Sequence, residues 1–154
     1  MADTDTGLGH SDERVDELVK QLREHAFRIT PQRMAVLKFM TASNEHPSVE
    51  MVYENVRREF PTTSIATIYK TVNVLKQINS VLEISFPDGS NRYDGNRPDP
   101  HPHVICVRCE KIMDLDLESL DDIKKEVAKE TEFKILNHRL DFFGICRDCG
   151  KKEG

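Results

Sequence analysis

An α+β chain in two parts is predicted by three observations. Apolar residues recur at helical spacing in four successive runs over residues 15–75. The period then drops to two over residues 81–94, and four cysteines fall in two C-x-x-C pairs within the last third of the chain. The division this predicts is an acidic extension without structure over 1–12, a helical domain closed by a hairpin over 13–94, a hinge over 95–103 and a cysteine-stapled α/β domain over 104–154.

Val15, Leu18, Val19 and Leu22, the first run, fall on one helix face. Thr30 and Pro31 read as cap and first-turn residue of a second helix, with Met34, Leu37 and Met40 on one side. Ser48 caps a third run, in which Val49, Val52, Tyr53 and Val56 are spaced helically before Phe60 and Pro61 end it. Ser64 caps a fourth, with Ile65, Ile68, Val72 and Leu75 inward. Leu82, Ile84 and Phe86 then alternate with polar residues, Pro87 to Ser90 form a turn, and Asn91 to Asp94 return as a second strand. Four helices and a hairpin in that order predict a winged helix, whose last helix enters the DNA major groove while the hairpin flanks it.

Charge bears on that expectation. The 154 residues carry a formal charge of −5, which argues mildly against nucleic-acid binding in bulk. Residues 14–80, however, hold ten Lys or Arg against seven acids. On the fourth helix Ser64, Ala66, Thr67, Tyr69, Lys70 and Thr71 offer small, hydroxylic and basic groups for base edges and phosphates, with Asn73 beside them. Arg28, Arg33, Arg57 and Arg92 are placed to neutralise phosphates, as is Arg58. No apolar run reaches the roughly 20 residues of a membrane helix, and the acidic start lacks the pattern of a signal peptide, so a soluble cytoplasmic protein is expected.

Beyond the proline-rich segment at 95–103, residues 104–106, 112–117, 133–139 and 140–145 read as strands. Residues 118–132 read as a helix with Leu120, Ile123 and Val127 inward. Cys106 with Cys109 and Cys146 with Cys149 suit one tetrahedral zinc ion, because each two-residue spacer lets a tight turn aim both sulfurs at one point. Two disulfides or a redox dithiol are the competing readings; a cytosolic setting disfavours the first, and two matched pairs disfavour the second. Around the hinge lies a second set of ligand types, namely His46, Asp94, His101, His103 and Asp114. Imidazole and carboxylate without thiolate lean toward Mn(II) or Fe(II).

These motifs together resemble the ferric uptake regulator family of bacterial metal-dependent repressors. The resemblance rests on F-R-I-T-P-Q-R at 27–33, H-P at 46–47, S-I-A-T-I-Y-K-T at 64–71, N-R-Y-D at 91–94, H-x-H-x-x-C-x-x-C at 101–109, N-H-R-L at 137–140 and C-x-x-C at 146–149. It implies a homodimer that binds double-stranded operator DNA through the winged helix and pairs through the C-terminal domain. It also implies one structural Zn(II) per chain on Cys106, Cys109, Cys146 and Cys149, and a regulatory Fe(II) or Mn(II) on His46, Asp94, His101, His103 and Asp114. Iron-uptake repressors usually carry Glu at the positions of Asp94 and Asp114, and Asp at the latter looks like the peroxide-sensing branch. A further metal site of the iron and zinc branches is incomplete here, since Asp121 and His138 are present but Pro100 and Pro102 occupy the other two places. The branch implies hydrogen peroxide as the signal, with oxygen added to His46 or His101, loss of the metal and release of DNA. This involves no turnover and hence no enzyme. The alternatives are a repressor sensing iron abundance alone, a zinc-stapled interaction module that does not bind DNA and a metallohydrolase acting through a bound water.

Overall fold

In a computed structural model of the chain, residues 7–42 and 46–152 are described, and they form two compact units, Met1–Pro98 and Asp99–Gly154. The first unit holds helices α1 (Gly7–Glu24), α2 (Pro31–Ala42), α3 (Val49–Glu59) and α4 (Ile65–Gln77), then strands β1 (Leu82–Ser85) and β2 (Asn91–Asp94). None of the described helices is long and apolar enough to cross a membrane.

Local chemistry sets each helix boundary. Thr30 caps α2 through its hydroxyl, which accepts from the Arg33 amide at 3.1 Å. Ser48 and Ser64 do the same for α3 and α4, accepting from the Met51 and Thr67 amides at 3.2 and 3.3 Å. Helices α1 and α4 end alike. The Phe27 amide reaches back to the Leu22 carbonyl and the Ser80 amide to that of Leu75, both at 2.9 Å. The closing residues, Ala26 and Asn79, take left-handed φ of 63° and 56°. Against the expectation of an unstructured extension over 1–12, α1 already begins at Gly7, while residues 1–6 lie outside the described residues. Adding turns to an existing helix is far cheaper than nucleating one, so the amphipathic stretch from Val15 carries its polar amino end with it.

The core of the first unit is the set the periodicity marks. Leu18, Leu22, Leu37, Met40, Val52, Val56, Ile68, Val72 and Leu75 are all buried in one cluster. Arg14, also buried, ties α1 to the end of α4 and to the chain beyond β2. It donates from Nε to the Gly95 carbonyl at 2.8 Å and from its terminal nitrogen to that of Ser80 at 3.0 Å. A Cβ on Gly95 would stand 3.2 Å from that of Met40, so the first residue of the expected hinge is packed into this unit. The β1–β2 hairpin pairs Leu82 with Asp94 and Ser85 with Asn91, and Gly89 supplies the positive φ its loop needs.

The second unit comprises β3 (His103–Cys106), β4 (Ile112–Asp114), α5 (Leu120–Thr131), β5 (Asp141–Gly144) and α6 (Arg147–Lys151). Its sheet runs β4-β3-β5, with β3 antiparallel to β4 and parallel to β5. Two expectations are corrected here. Residues 133–139 form no strand, and α5 buries none of its residues: Ile123 and Val127 are 48% and 45% exposed, and Leu120 is half-buried. Among the described residues of this unit, the apolar buried ones are Pro102, Ile105, Cys106 and Ile112, whereas Phe133 and Leu136 stand 72% and 84% exposed. A single copy does not close a core around them.

Candidate metal centres

Two backbone turns aim the four thiols of the second unit at one point. The first comes directly after β3, where the Cys106 amide bonds the Lys111 carbonyl, the Glu110 amide bonds the Cys106 carbonyl, and Glu110 takes φ 62°. The second opens α6, with Cys146 as its N-cap and its sulfur accepting from the Cys149 amide at 3.5 Å. The Cys106 sulfur accepts from the Cys146 amide at 3.4 Å. All four sulfurs lie within 4.8 Å of one another and none is in a disulfide.

The electrostatics suit a cation. Amide groups of Cys109, Cys146 and Arg108 directed at Cys106 push its thiol down to about 6. Cys149 is pushed up to about 12, chiefly by its contact with Cys146. Sulfurs this close cannot all ionise together in isolation; a divalent ion removes that repulsion, and four sulfur donors with no further ligand are the arrangement of a structural zinc site.

The second set of ligand types divides between the units. In the first, His46 takes a left-handed φ of 54°, and its carbonyl accepts from Arg92 Nε at 2.6 Å. The next residue, Pro47, accepts from the Tyr93 amide at 3.0 Å. The wing thereby holds His46 Nε2 at 3.2 Å from Asp94 Oδ2, both groups buried. Asp94 is oriented through its other oxygen, which accepts from the Asn96 and Arg97 amides at 2.9 and 3.0 Å. In the second unit, His101 Nε2 and His103 Nε2 approach Asp114 Oδ1 at 3.1 and 3.3 Å. Their ring centroids are 4.4 Å apart. His101 Nδ1 lies 2.8 Å from the Asp99 carbonyl, which can accept a proton carried there, while Nε2 is turned toward Asp114. Both sets are nitrogen and oxygen donors with their outer contacts in place, a chemistry that fits Mn(II) or Fe(II).

Sequence reasoning missed Asp141, whose Oδ1 lies 3.4 Å from His103 Nδ1. Its signal is tertiary, since it arises from the pairing of β3 with β5. Asp121 and His138, left open by the sequence, join no cluster of metal-ligand side chains among the described residues. Asp121 is 82% exposed beside Lys124, and His138 lines a cavity with Asp99, Pro100 and Lys124.

On α4, Ala66, Tyr69 and Lys70 are exposed, while Ser64 and Thr67 are engaged in the cap. Thr71 is corrected. It is buried and donates to the Thr67 carbonyl, because it falls on the inward stripe that Ile68, Val72 and Leu75 define. Tyr69 donates to Glu50 at 3.3 Å, a contact whose negative charge pushes its phenol up. Arg28 is exposed, and its carbonyl accepts from Arg33. Arg57 pairs with Glu54 at 3.3 Å, and Arg92 stacks on Phe86.

A model described as the ferric uptake regulator family matches residues 24–143. The chain belongs to that family. As such it is a metal-responsive transcriptional repressor with a winged helix that binds DNA, and not an enzyme. The peroxide-responsive repressor PerR of Staphylococcus saprophyticus is 38% identical over 139 residues, which cover 90% of this chain and 93% of that one. A crystal structure of the Campylobacter jejuni peroxide stress regulator is 30% identical, with a TM-score of 0.68 over 86% of this chain and 98% of that one. The Helicobacter pylori ferric uptake regulator, 23% identical, shares the fold with a TM-score of 0.79 across both whole chains.

Proposed function

We propose that this repressor binds operator DNA as a homodimer when loaded with Fe(II) or Mn(II), and is released when hydrogen peroxide oxidises the histidines that hold the metal. One regulatory cation is held by His46 and Asp94 of the first unit together with His101, His103 and Asp114 of the second. The observation that carries this is the pre-oriented donor set on each unit, with His46 against Asp94 at 3.2 Å and both His101 and His103 against Asp114 within 3.3 Å. Aspartate rather than glutamate at position 114, and a 38% identical relative named for its peroxide response, support the peroxide-sensing branch.

Each residue then has a part. Cys106, Cys109, Cys146 and Cys149 hold a structural Zn(II), one per chain. The exposed apolar residues of the second unit, Phe133, Leu136 and Phe142 among them, support pairing with a second copy, which covers them. Ser64, Ala66, Thr67, Tyr69 and Lys70 face the major groove, and Arg28, Arg33, Arg57 and Arg92 meet phosphates. Donors from both units restrain the dimer to the arrangement in which two winged helices meet successive half-sites. Moving such an equilibrium from mostly open to mostly closed takes about 5.5 kcal/mol of differential affinity, which five ligands can supply. Fe(II), when bound, would activate peroxide toward the side chains that hold it. One oxygen atom of peroxide would pass to His46 or His101 and the other would leave as water, with the imidazole giving up the two electrons; the altered ring would cease to donate and the two units would be untied.

Anaerobic protein loaded with Fe(II) is expected to bind its operator, lose it on addition of peroxide, and show one added oxygen on a peptide containing His46 or His101 by mass spectrometry. Protein loaded with Mn(II) should keep both its DNA and its unmodified histidines. Oxygen found at cysteines alone contradicts the histidine mechanism. Binding that tracks Fe(II) but ignores peroxide assigns the protein to sensing of metal abundance instead.

A further inference from the structure

His103 is the first residue of β3, the middle strand of its sheet. Across the antiparallel side it is in register with Asp114, and across the parallel side with Asp141. Residues in register on neighbouring strands project to one face. The imidazole therefore stands between two carboxylates, with Nε2 3.3 Å from Asp114 Oδ1 and Nδ1 3.4 Å from Asp141 Oδ1. Both groups are well shielded, His103 at 2% and the Asp141 side chain at 13% exposure. The other Asp141 oxygen accepts from Arg139 at 3.0 Å. That contact alone does not explain the aspartate, because Arg139 is 54% exposed and ion pairs to exposed groups contribute little. His101 meets the same requirement with a different acceptor, the Asp99 carbonyl. In both rings Nδ1 faces an oxygen and Nε2 faces Asp114.

We propose that Asp141 is a positioning residue for the regulatory metal. Its carboxylate accepts the Nδ1 proton of His103, which fixes the tautomer and the ring angle and presents the Nε2 lone pair toward Asp114 and the cation. Asp141 itself sits on the far side of the ring and does not touch the ion. A neutral imidazole carries one N–H, and a charged acceptor at Nδ1 both holds it there and makes Nε2 a stronger donor. The inference rests on the proposed assignment of His103 as a ligand, and its test separates the two.

Asp141→Ala, Asp141→Asn, Arg139→Ala and Asp114→Ala are compared with the unaltered chain, each carrying its zinc. In protein free of regulatory metal, long-range ¹H–¹⁵N spectra should report a proton on Nδ1 of His103, and Asp141→Ala should deplete that position in favour of Nε2, which faces Asp114. Mn(II) affinity, read from the free-ion electron paramagnetic resonance signal, should fall about 10–100-fold in Asp141→Ala, the usual effect of removing such a partner. Asp141→Asn, which keeps an acceptor oxygen, should recover part of the loss, and Arg139→Ala should cost little. An unchanged tautomer, or Mn(II) affinity within about twofold of the original in Asp141→Ala while Asp114→Ala has lost it, overturns the positioning role alone. If Asp114→Ala also binds Mn(II) undiminished, the ligand assignment falls and takes this inference with it.

Discussion

Replacing Cys109 by Ser is expected to release the zinc and unfold much of the second unit. Cys109 is exposed, and its sulfur is directed at the other three thiols, so the substitution removes a donor without opening a cavity. The unit has little else to hold it, with Pro102, Ile105, Cys106 and Ile112 as the apolar buried ones among its described residues. A four-thiolate zinc contributes about 10–16 kcal/mol of apparent binding energy in peptide systems, far more than a core of that size supplies. Zinc content by elemental analysis should fall from one per chain toward none. On the proposed pairing through this unit, the dimer should dissociate in sedimentation velocity, because the apolar residues around α5 are brought together only when the unit is folded. A variant that keeps its zinc and stays dimeric would show that three thiols suffice.

Asp94→Asn carries the second large effect. The two side chains are nearly isosteric, and Oδ1 can still accept from the Asn96 and Arg97 amides, so the wing keeps its shape. What changes is the oxygen facing His46 at 3.2 Å, which becomes an amide without charge. The first unit then contributes one neutral imidazole to the cation in place of an imidazole and a carboxylate. Mn(II)-dependent operator affinity should fall about 100-fold, the upper range of a typical coupling between two sites. Metal-free operator binding and the melting temperature should stay close to those of the unaltered protein. Fluorescence anisotropy on a labelled operator, with and without Mn(II), and a thermal melt measure these quantities.

Legibility in the sequence depended on how local each signal was. Ser48 and Ser64 mark helix starts through hydroxyls that reach three residues along the chain, and both caps are present. The cysteine pairs are equally local, and their sulfurs converge. The stripe from Leu18 to Leu75 is buried because one unit closes its own core. The same reading places Ile123 and Val127 inward and is wrong for the isolated chain, since periodicity says that a face is apolar without saying what covers it. Residues 133–139 carry apolar side chains but pair with no strand among the described residues, and strand pairing cannot be read from the pattern of one segment alone. Thr71 reads as outward on its chemistry, but its position on the helix decides the matter. Asp141 gives no sign of its role until the parallel pairing of β3 with β5 sets it beside His103.

Titration of operator DNA under anaerobic conditions shows whether, as proposed, one exchangeable cation governs DNA binding by holding donors from both units. The zinc-containing dimer would be compared stripped of its second metal and reloaded with Mn(II). Operator binding should be at least about 100-fold tighter in the reloaded protein, with one Mn(II) taken up per chain. Equal affinity of the stripped and reloaded forms would contradict the proposal.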